Sequence, residues 1–131
     1  MAALRAHAAG LLCAVAAVEL LIRHATWLCR AEFVDRFVTV QADPALVGGA
    51  ALAWVDWLDA ADALTTGQLA CSSGEAQILL IAASIAEGVP LDLGNAVTGL
   101  DATNSALVAR CVLAAGGHDD GAEYRAEVTG R

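Results

Sequence analysis

The chain has 131 residues, enough for one domain with a buried core, and 58% of them are hydrophobic. Much of this content is alanine, a strong helix former, and the chain holds only two prolines, so we expect long helices. Fifteen acidic against seven basic side chains give a net charge of −8 at pH 7, which counts against nucleic acids and anionic membranes as partners.

The cysteines and histidines show no pattern typical of a metal site. The four cysteines lie far apart without a C-x-x-C pair, and the three histidines do not join them at zinc-ligand spacing. We therefore predict no metal site and no cofactor. A chain of this length can build its own core without disulfides, so we expect reduced cysteines and a cytoplasmic location.

An uncharged stretch over residues 6–18 raises the question of a signal peptide or a membrane span. Glu19 and Arg23 interrupt it well short of the about 20 apolar residues that a span needs, so we predict no membrane association. The apolar residues instead recur at helical spacing, which predicts one long, buried N-terminal helix. The stripe consists of Leu4, Leu11, Val15, Val18 and Ile22.

Further leucines widen the apolar surface of this helix beyond one stripe. Such a helix is either enclosed on two sides or packs against a second copy, and we favour partial self-association. Leu79 and Leu80 stand side by side in a later helix, where one of the two must point away from the core. The candidate interface residues are Leu12, Leu20, Leu21 and Leu80.

Residues 33–55 allow two interpretations. Phe33 and Val34 suit a helical turn, whereas residues 37–41 form a β-branched and aromatic run that is typical of a strand. Residues 51–55 can return as a second strand after the turn that Gly48-Gly49 marks. We favour a short hairpin, and a helix remains the alternative.

A helix is predicted to follow the second strand. Asp56 can cap a helix that runs to Leu64, with Asp59 and Asp62 facing outward. Trp54 and Trp57 are expected to be core aromatics that join the hairpin to this helix.

Residues 72–117 are predicted to form a C-terminal unit. The sequence marks both ends of the first helix of this unit. Ser72 and Glu75 have the spacing of a capping box, Gly88 ends the helix, and Pro90 prevents it from resuming. The spacing predicts three helices, which together make a trihelical unit.

The other two helices of this unit are separated by a tight turn. Asp92 or Leu93 starts a short helix that runs to Thr98, and Asp101 caps a third helix that ends at the glycine pair after Ala115. We expect residues 1–117 to form a single globular domain. Residues 118–131 are expected to be a mobile acidic tail.

Residues 75–117 carry a resemblance to known proteins; they read EAQILLIAASIAEGVPLDLGNAVTGLDATNSALVARCVLAAGG. This segment resembles the helix-turn-helix core of winged-helix regulators, which passes through a P-L-x-L-x-x-A-x-x-x-G-L segment to a last helix ending at glycine. Residues 90–93 and Ala96 occupy those places, whereas Gly99-Leu100 comes one residue earlier than the glycine and leucine of that pattern. The resemblance implies a helix-turn-helix-like fold.

The wider chain resembles a group of small hypothetical proteins from high-GC actinobacteria. The segments FVDRFV, AWVDW, CSSGEAQ, AASIAEGVPLDL and TGLDATN carry this second resemblance. It implies a real domain and no particular chemistry.

The winged-helix resemblance implies that the last helix would enter the major groove of DNA. Its candidate contacts are Thr103, Asn104, Ser105 and Arg110. Residues 72–117, however, hold one arginine against four carboxylates, and phosphate neutralisation supplies much of the affinity for DNA. A DNA-binding transcriptional regulator is therefore the alternative, which would need basic residues from elsewhere, such as Arg23, Arg30 and Arg36.

Cys71 is the residue with most potential as a nucleophile. It lies beside a helix N-terminus, where the backbone dipole lowers a thiol pKa, but no histidine is close in sequence to act as a base. We expect Cys71 to pack as a hydrophobic residue, and we predict no catalytic residues and no enzymatic activity.

The fold expected from these patterns is mainly α, with a possible α+β character from the hairpin. The leading function hypothesis is a small acidic protein–protein interaction or accessory regulatory module on a helix-turn-helix-like scaffold. Its partner would be another protein or a second copy of the chain, as in a homodimer.

Overall fold

The computed structural model describes residues 1–42 and 51–118, and within these residues it is mainly α with one small sheet, as predicted. The elements in chain order are α1 (Ala2–Ala8), α2 (Leu12–His24), a 3₁₀ turn (Trp27–Cys29), α3 (Ala31–Phe37), β1 (Val38–Ala42), β2 (Ala51–Val55), α4 (Trp57–Thr65), α5 (Ser73–Glu87), α6 (Leu93–Thr98) and α7 (Ala102–Ala115). Among the described residues, no helix has the length and apolar character needed to cross a membrane. The predicted Gly48-Gly49 turn and residues 119–131 of the predicted tail lie outside the described residues.

The predicted long N-terminal helix is divided into α1 and α2. Ala9 has extended backbone angles, and Gly10 adopts φ +89°, a conformation that favours glycine and ends the first helix. Leu11, which the predicted stripe placed inside, is 64% exposed because it lies in this break. The helix α1 packs against β2, and Leu4 is buried there.

The burial of α2 corrects two of the candidate interface residues. Leu20 and Leu21 are 2% and 1% exposed, so both belong to the core and are not available to a partner. The reason is that α5 and α7 cover α2, so the helix is enclosed on two sides. Leu12, at the start of α2, is 58% exposed.

The helices α2 and α7 run antiparallel. The Cys111 thiol donates a hydrogen bond to the carbonyl oxygen of Ala16 (3.4 Å), whereas Leu12 lies beside Gly117 just after α7. Residues that come later on α7 thus meet residues that come earlier on α2. This pairing buries Cys111 and leaves Val112, the next residue, 58% exposed.

Both interpretations of residues 33–55 hold for different parts of the segment. A helix (α3) ends at Phe37, and the strands that follow pair antiparallel from Val38 with Val55 to Ala42 with Ala51. Trp57 is buried as predicted, and Phe33 is fully buried.

The start of α4 differs in one detail from the prediction. Asp56 precedes the helix, but its carboxylate accepts a hydrogen bond from the Thr39 hydroxyl (2.9 Å) and makes no capping bond. Trp54 is half-buried, and its ring lies 5.0 Å from the ring of His7.

The predicted caps of the C-terminal helices are confirmed. The Ser72 hydroxyl accepts from the Glu75 amide while the Glu75 carboxylate accepts from the Ser72 amide, which completes the capping box. The carboxylates of Asp92 and Asp101 accept from backbone amides three residues on. Gly88 ends α5 at φ +70°.

Trp27 connects α3 to the start of α5 within the core. Its ring is fully buried, packs 5.2 Å from Phe33, and donates a hydrogen bond from Nε1 to the Glu75 carbonyl oxygen (2.9 Å) on α5. The Arg30 guanidinium lies 4.8 Å from the Trp27 ring and donates to the Ala70 carbonyl oxygen (2.7 Å). These contacts fix the start of α5 against the N-terminal helices.

Candidate functional site

The four candidate DNA contacts on α7 do not share one face. Thr103 and Ser105 are exposed, whereas Asn104 is half-buried beside Gly74 of α5, and Arg110 is half-buried against α2. Successive helical residues point about 100° apart, so neighbours in sequence are spread around the helix.

The exposed face of α7 is made mainly of small apolar side chains. The exposed residues of α7 are Ala102, Thr103, Ser105, Ala106, Ala109 and Val112. Among these side chains only the Thr103 and Ser105 hydroxyls can form hydrogen bonds, whereas base recognition in the major groove uses several donors and acceptors. The exposed surface of α7 therefore offers few of the side chains that the helix-turn-helix resemblance implies.

Cys71 lies just before α5, as predicted, and its pKa is raised above the usual value of a thiol. Partial burial raises the pKa of the Cys71 thiol, the Glu75 carboxylate raises it further, and Arg30 opposes the shift. A raised pKa keeps the thiol protonated, which weakens it as a nucleophile. The Cys71 side chain is nevertheless exposed, so the expectation that it packs as a hydrophobic residue is wrong.

The other thiols and histidines of the described residues form no reactive cluster. All four cysteines are free, and burial raises the pKa of the Cys111 thiol to about 12. No group of three or more potential metal ligands occurs in residues 1–42 and 51–118. Burial lowers the pKa of His24, although Glu75 and Asp101 oppose the shift.

A groove of about 430 Å³ lies between α4, α5 and the segment that leads into α6. We name it the acidic groove. It has apolar walls that include Leu58, Leu80 and Leu91, and its charged lining residues are two carboxylates, Asp62 and Asp92. Leu80, a candidate interface residue, is half-buried in its wall, as expected for the outward member of the Leu79–Leu80 pair.

A second groove, of about 360 Å³, lies between α2 and α7 and is bounded by α1. We name it the arginine groove because Arg5, Arg23 and Arg110 line it, together with Glu19 as the one carboxylate among the described lining residues. The i, i+4 pair of Glu19 and Arg23 is visible in the sequence. The arrival of Arg5 and Arg110 depends on tertiary packing, which no local pattern signals.

No protein-family model, curated protein or solved structure matches the chain. The resemblance of residues 75–117 to winged-helix regulators, and of the whole chain to actinobacterial proteins, stays a prediction.

Proposed function

We propose that the chain is a non-enzymatic protein–protein interaction module that binds its partner in the acidic groove. The observation that carries this proposal is the exposure of leucine around a concave, acidic surface. Leu58 is 62% exposed at the edge of the groove, and Leu80 and Leu91 are half-buried inside it. Contiguous apolar surface that the fold leaves uncovered is typical of interaction sites.

The neighbouring helix extends this apolar surface. Leu93 and Val97 of α6 are 58% and 40% exposed, and the same helix contributes Asn95 to the groove lining. The helix α6 has six residues and buries Ala96, so most of its apolar surface is left for a partner.

The charges of the groove specify the chemistry of the partner. Asp62 and Asp92 would pair with arginine or lysine residues, and among residues 1–42 and 51–118 no basic side chain lines the groove to repel them. The net charge of −8 would also speed association with a basic partner. We infer that the partner offers an amphipathic helix whose apolar stripe is flanked by basic residues, which is a common mode of groove recognition.

A labelled synthetic helix tests this proposal by fluorescence anisotropy. The probe carries leucines at i, i+3 and i+7 with flanking lysines, and a matched probe has glutamates in place of the lysines. We expect the basic probe to bind the full chain and the acidic probe not to bind. Burying a charge in an apolar contact is unfavourable, so Leu58→Glu should weaken binding of the basic probe by about tenfold or more.

Leu12→Glu is the matched control because Leu12 is exposed to a similar extent (58%) but does not line the acidic groove. It should leave binding of the basic probe unchanged. Equal binding of the two probes, or equal losses in both variants, would contradict the proposal. Light scattering on the same samples measures mass, and a dimer that Leu12→Glu disrupts would identify a second copy as the partner instead.

DNA binding is the weaker candidate. The exposed residues of α7 offer the hydroxyls of Thr103 and Ser105 as hydrogen-bonding groups beside four apolar side chains, and residues 72–117 carry a net charge of −3.

A further inference from the structure

We propose that the arginine groove is a binding site for a small organic anion, a carboxylate or phosphate joined to a short hydrocarbon chain. The described residues that line this site are all different from those that line the acidic groove. The inference goes beyond the proposed function and does not depend on it.

The antiparallel packing of α2 and α7 produces the shape of the site. Glu19 and Arg23 project from α2, and Arg110 projects from α7 toward the same groove. The floor between them is closed, because Ala16, Leu20 and Cys111 are at most 3% exposed. Val15 and Leu107 also line the groove and are half-buried, so they present the apolar surface that a hydrocarbon chain can cover while its charged group stays at the rim.

The charge of this groove is opposite to that of the whole chain. The described residues contain five arginines and ten carboxylates, yet three of those arginines and only Glu19 line the groove. Its formal charge is thus +2 in a chain with a net charge of −8. A local positive field of this kind attracts small anions.

The arginines differ in their availability to a ligand. Glu19 holds Arg5 through two hydrogen bonds, of 2.6 Å and 3.3 Å, whereas Arg23 Nε lies 3.9 Å from the second Glu19 oxygen, beyond hydrogen-bonding distance. Arg110 makes no hydrogen bond or ion pair within residues 1–42 and 51–118. Arg23 and Arg110 are therefore the groups that an anion would meet.

The chemistry of the ligand follows from these two guanidinium groups and the floor. A guanidinium group presents paired N–H donors that match the oxygens of carboxylate and phosphate. A groove of about 360 Å³ also falls within the size range of small-molecule sites. A long polyanion would extend beyond the groove and meet the acidic remainder of the surface, which favours a small anion.

Isothermal titration of the full chain with hexanoate, hexyl phosphate and hexan-1-ol tests the proposal. We expect at least one anion to bind with a stoichiometry of one and the uncharged alcohol not to bind. The difference between hexanoate and hexyl phosphate identifies the preferred anionic group. Absence of binding by both anions at millimolar concentration, or equal binding of the alcohol, would overturn the proposal.

Arginine variants locate the site. A charge-assisted hydrogen bond contributes enough that Arg23→Gln and Arg110→Gln should each weaken anion binding by about tenfold or more. Arg36→Gln is the matched control because Arg36 contacts Gln68 and the Phe37 ring outside the groove. It should stay within about twofold of the parent chain, whereas equal losses in all three variants would overturn the assignment.

Two further variants test the guanidinium contact and the independence of the two grooves. Arg110→Lys keeps the charge and most of the side chain, and it should bind the anion more weakly than the parent but more tightly than Arg110→Gln. If it binds no better than Arg110→Gln, the guanidinium is not the contact. Leu58→Glu should bind the anion as the parent does, so failure of the acidic-groove proposal and failure of this one give different results.

Discussion

The acidic groove and the arginine groove are both clefts between packed helices, but they are built from different parts of the chain. The lining of the acidic groove lies within residues 58–95. The arginine groove brings together α1, α2 and α7, so its arginines lie up to 105 positions apart in the sequence, from Arg5 to Arg110. Both depend on helix packing, but the lining of the first comes from one stretch of sequence and that of the second from distant parts of the chain.

The two grooves also differ in charge, and this difference shows what net charge can and cannot indicate. A net charge of −8 describes the average field that a distant partner meets. At contact distance, screening by salt makes local groups dominate, and the arginine groove is locally positive. The overall charge therefore argues against polyanions without excluding a small anion.

The largest expected difference between the two grooves is the loss of stability when a leucine in the wall or floor of each is truncated to alanine. Leu20 lies in the floor of the arginine groove and is 2% exposed, so Leu20→Ala should reduce the free energy of unfolding by about 2–5 kcal/mol. Leu80 is only half-buried in the wall of the acidic groove, so Leu80→Ala should cost about 1 kcal/mol. Urea unfolding measures both values, and equal costs would mean that the two walls are not packed as differently as the structure indicates.

The helix ends of the C-terminal unit could be predicted because their causes are local. Ser72, Asp92 and Asp101 each accept a hydrogen bond from an amide three residues on, so one short stretch of sequence contains both partners. The break at Gly10 could not be predicted, because the local sequence around it favours a continuous helix. A glycine inside a helix costs only about 1 kcal/mol, and the apolar period continues across it, so the local signal favoured one long helix.

The sites were harder to predict than the helices. Leu20 and Leu21 are indistinguishable in sequence from an exposed apolar face, since α7, which covers one side of α2, arrives about 90 residues later. Leu80 was correctly expected to point away from the core, because the helical period forces adjacent residues apart. The arginine groove could not be predicted, because Arg5, Arg23 and Arg110 lie on three helices that meet only in the tertiary fold.

Two substitutions of Asp92 should change stability less, and they separate the role of its charge in the acidic groove from its role as a helix cap. Asp92 both lines the groove and accepts the Asn95 amide at the start of α6. Asp92→Ala should cost about 1 kcal/mol of unfolding free energy, whereas Asp92→Asn should keep the cap and cost at most a few tenths. Both variants should weaken the basic probe in the anisotropy assay, and normal binding by Asp92→Asn would mean that the carboxylate charge is not used.

The smallest effect on stability, and a clear effect on binding, is expected for Glu19→Gln. Glu19 pairs with Arg5 across a partly exposed surface, so its charge should contribute less than about 1 kcal/mol to the free energy of unfolding. Its removal leaves Arg5 and Arg23 without a neutralising carboxylate and raises the formal charge of the arginine groove from +2 to +3. We expect hexyl phosphate to bind several-fold more tightly at low salt and the gain to shrink as salt is added, because the added attraction is screened.

A loss of affinity instead would mean that Glu19 acts by holding the guanidinium groups in place, so that the ordering of the arginines matters more for binding than the charge of the groove. Binding of the basic probe to the acidic groove should not change in this variant, since neither Glu19 nor its arginine partners line that surface.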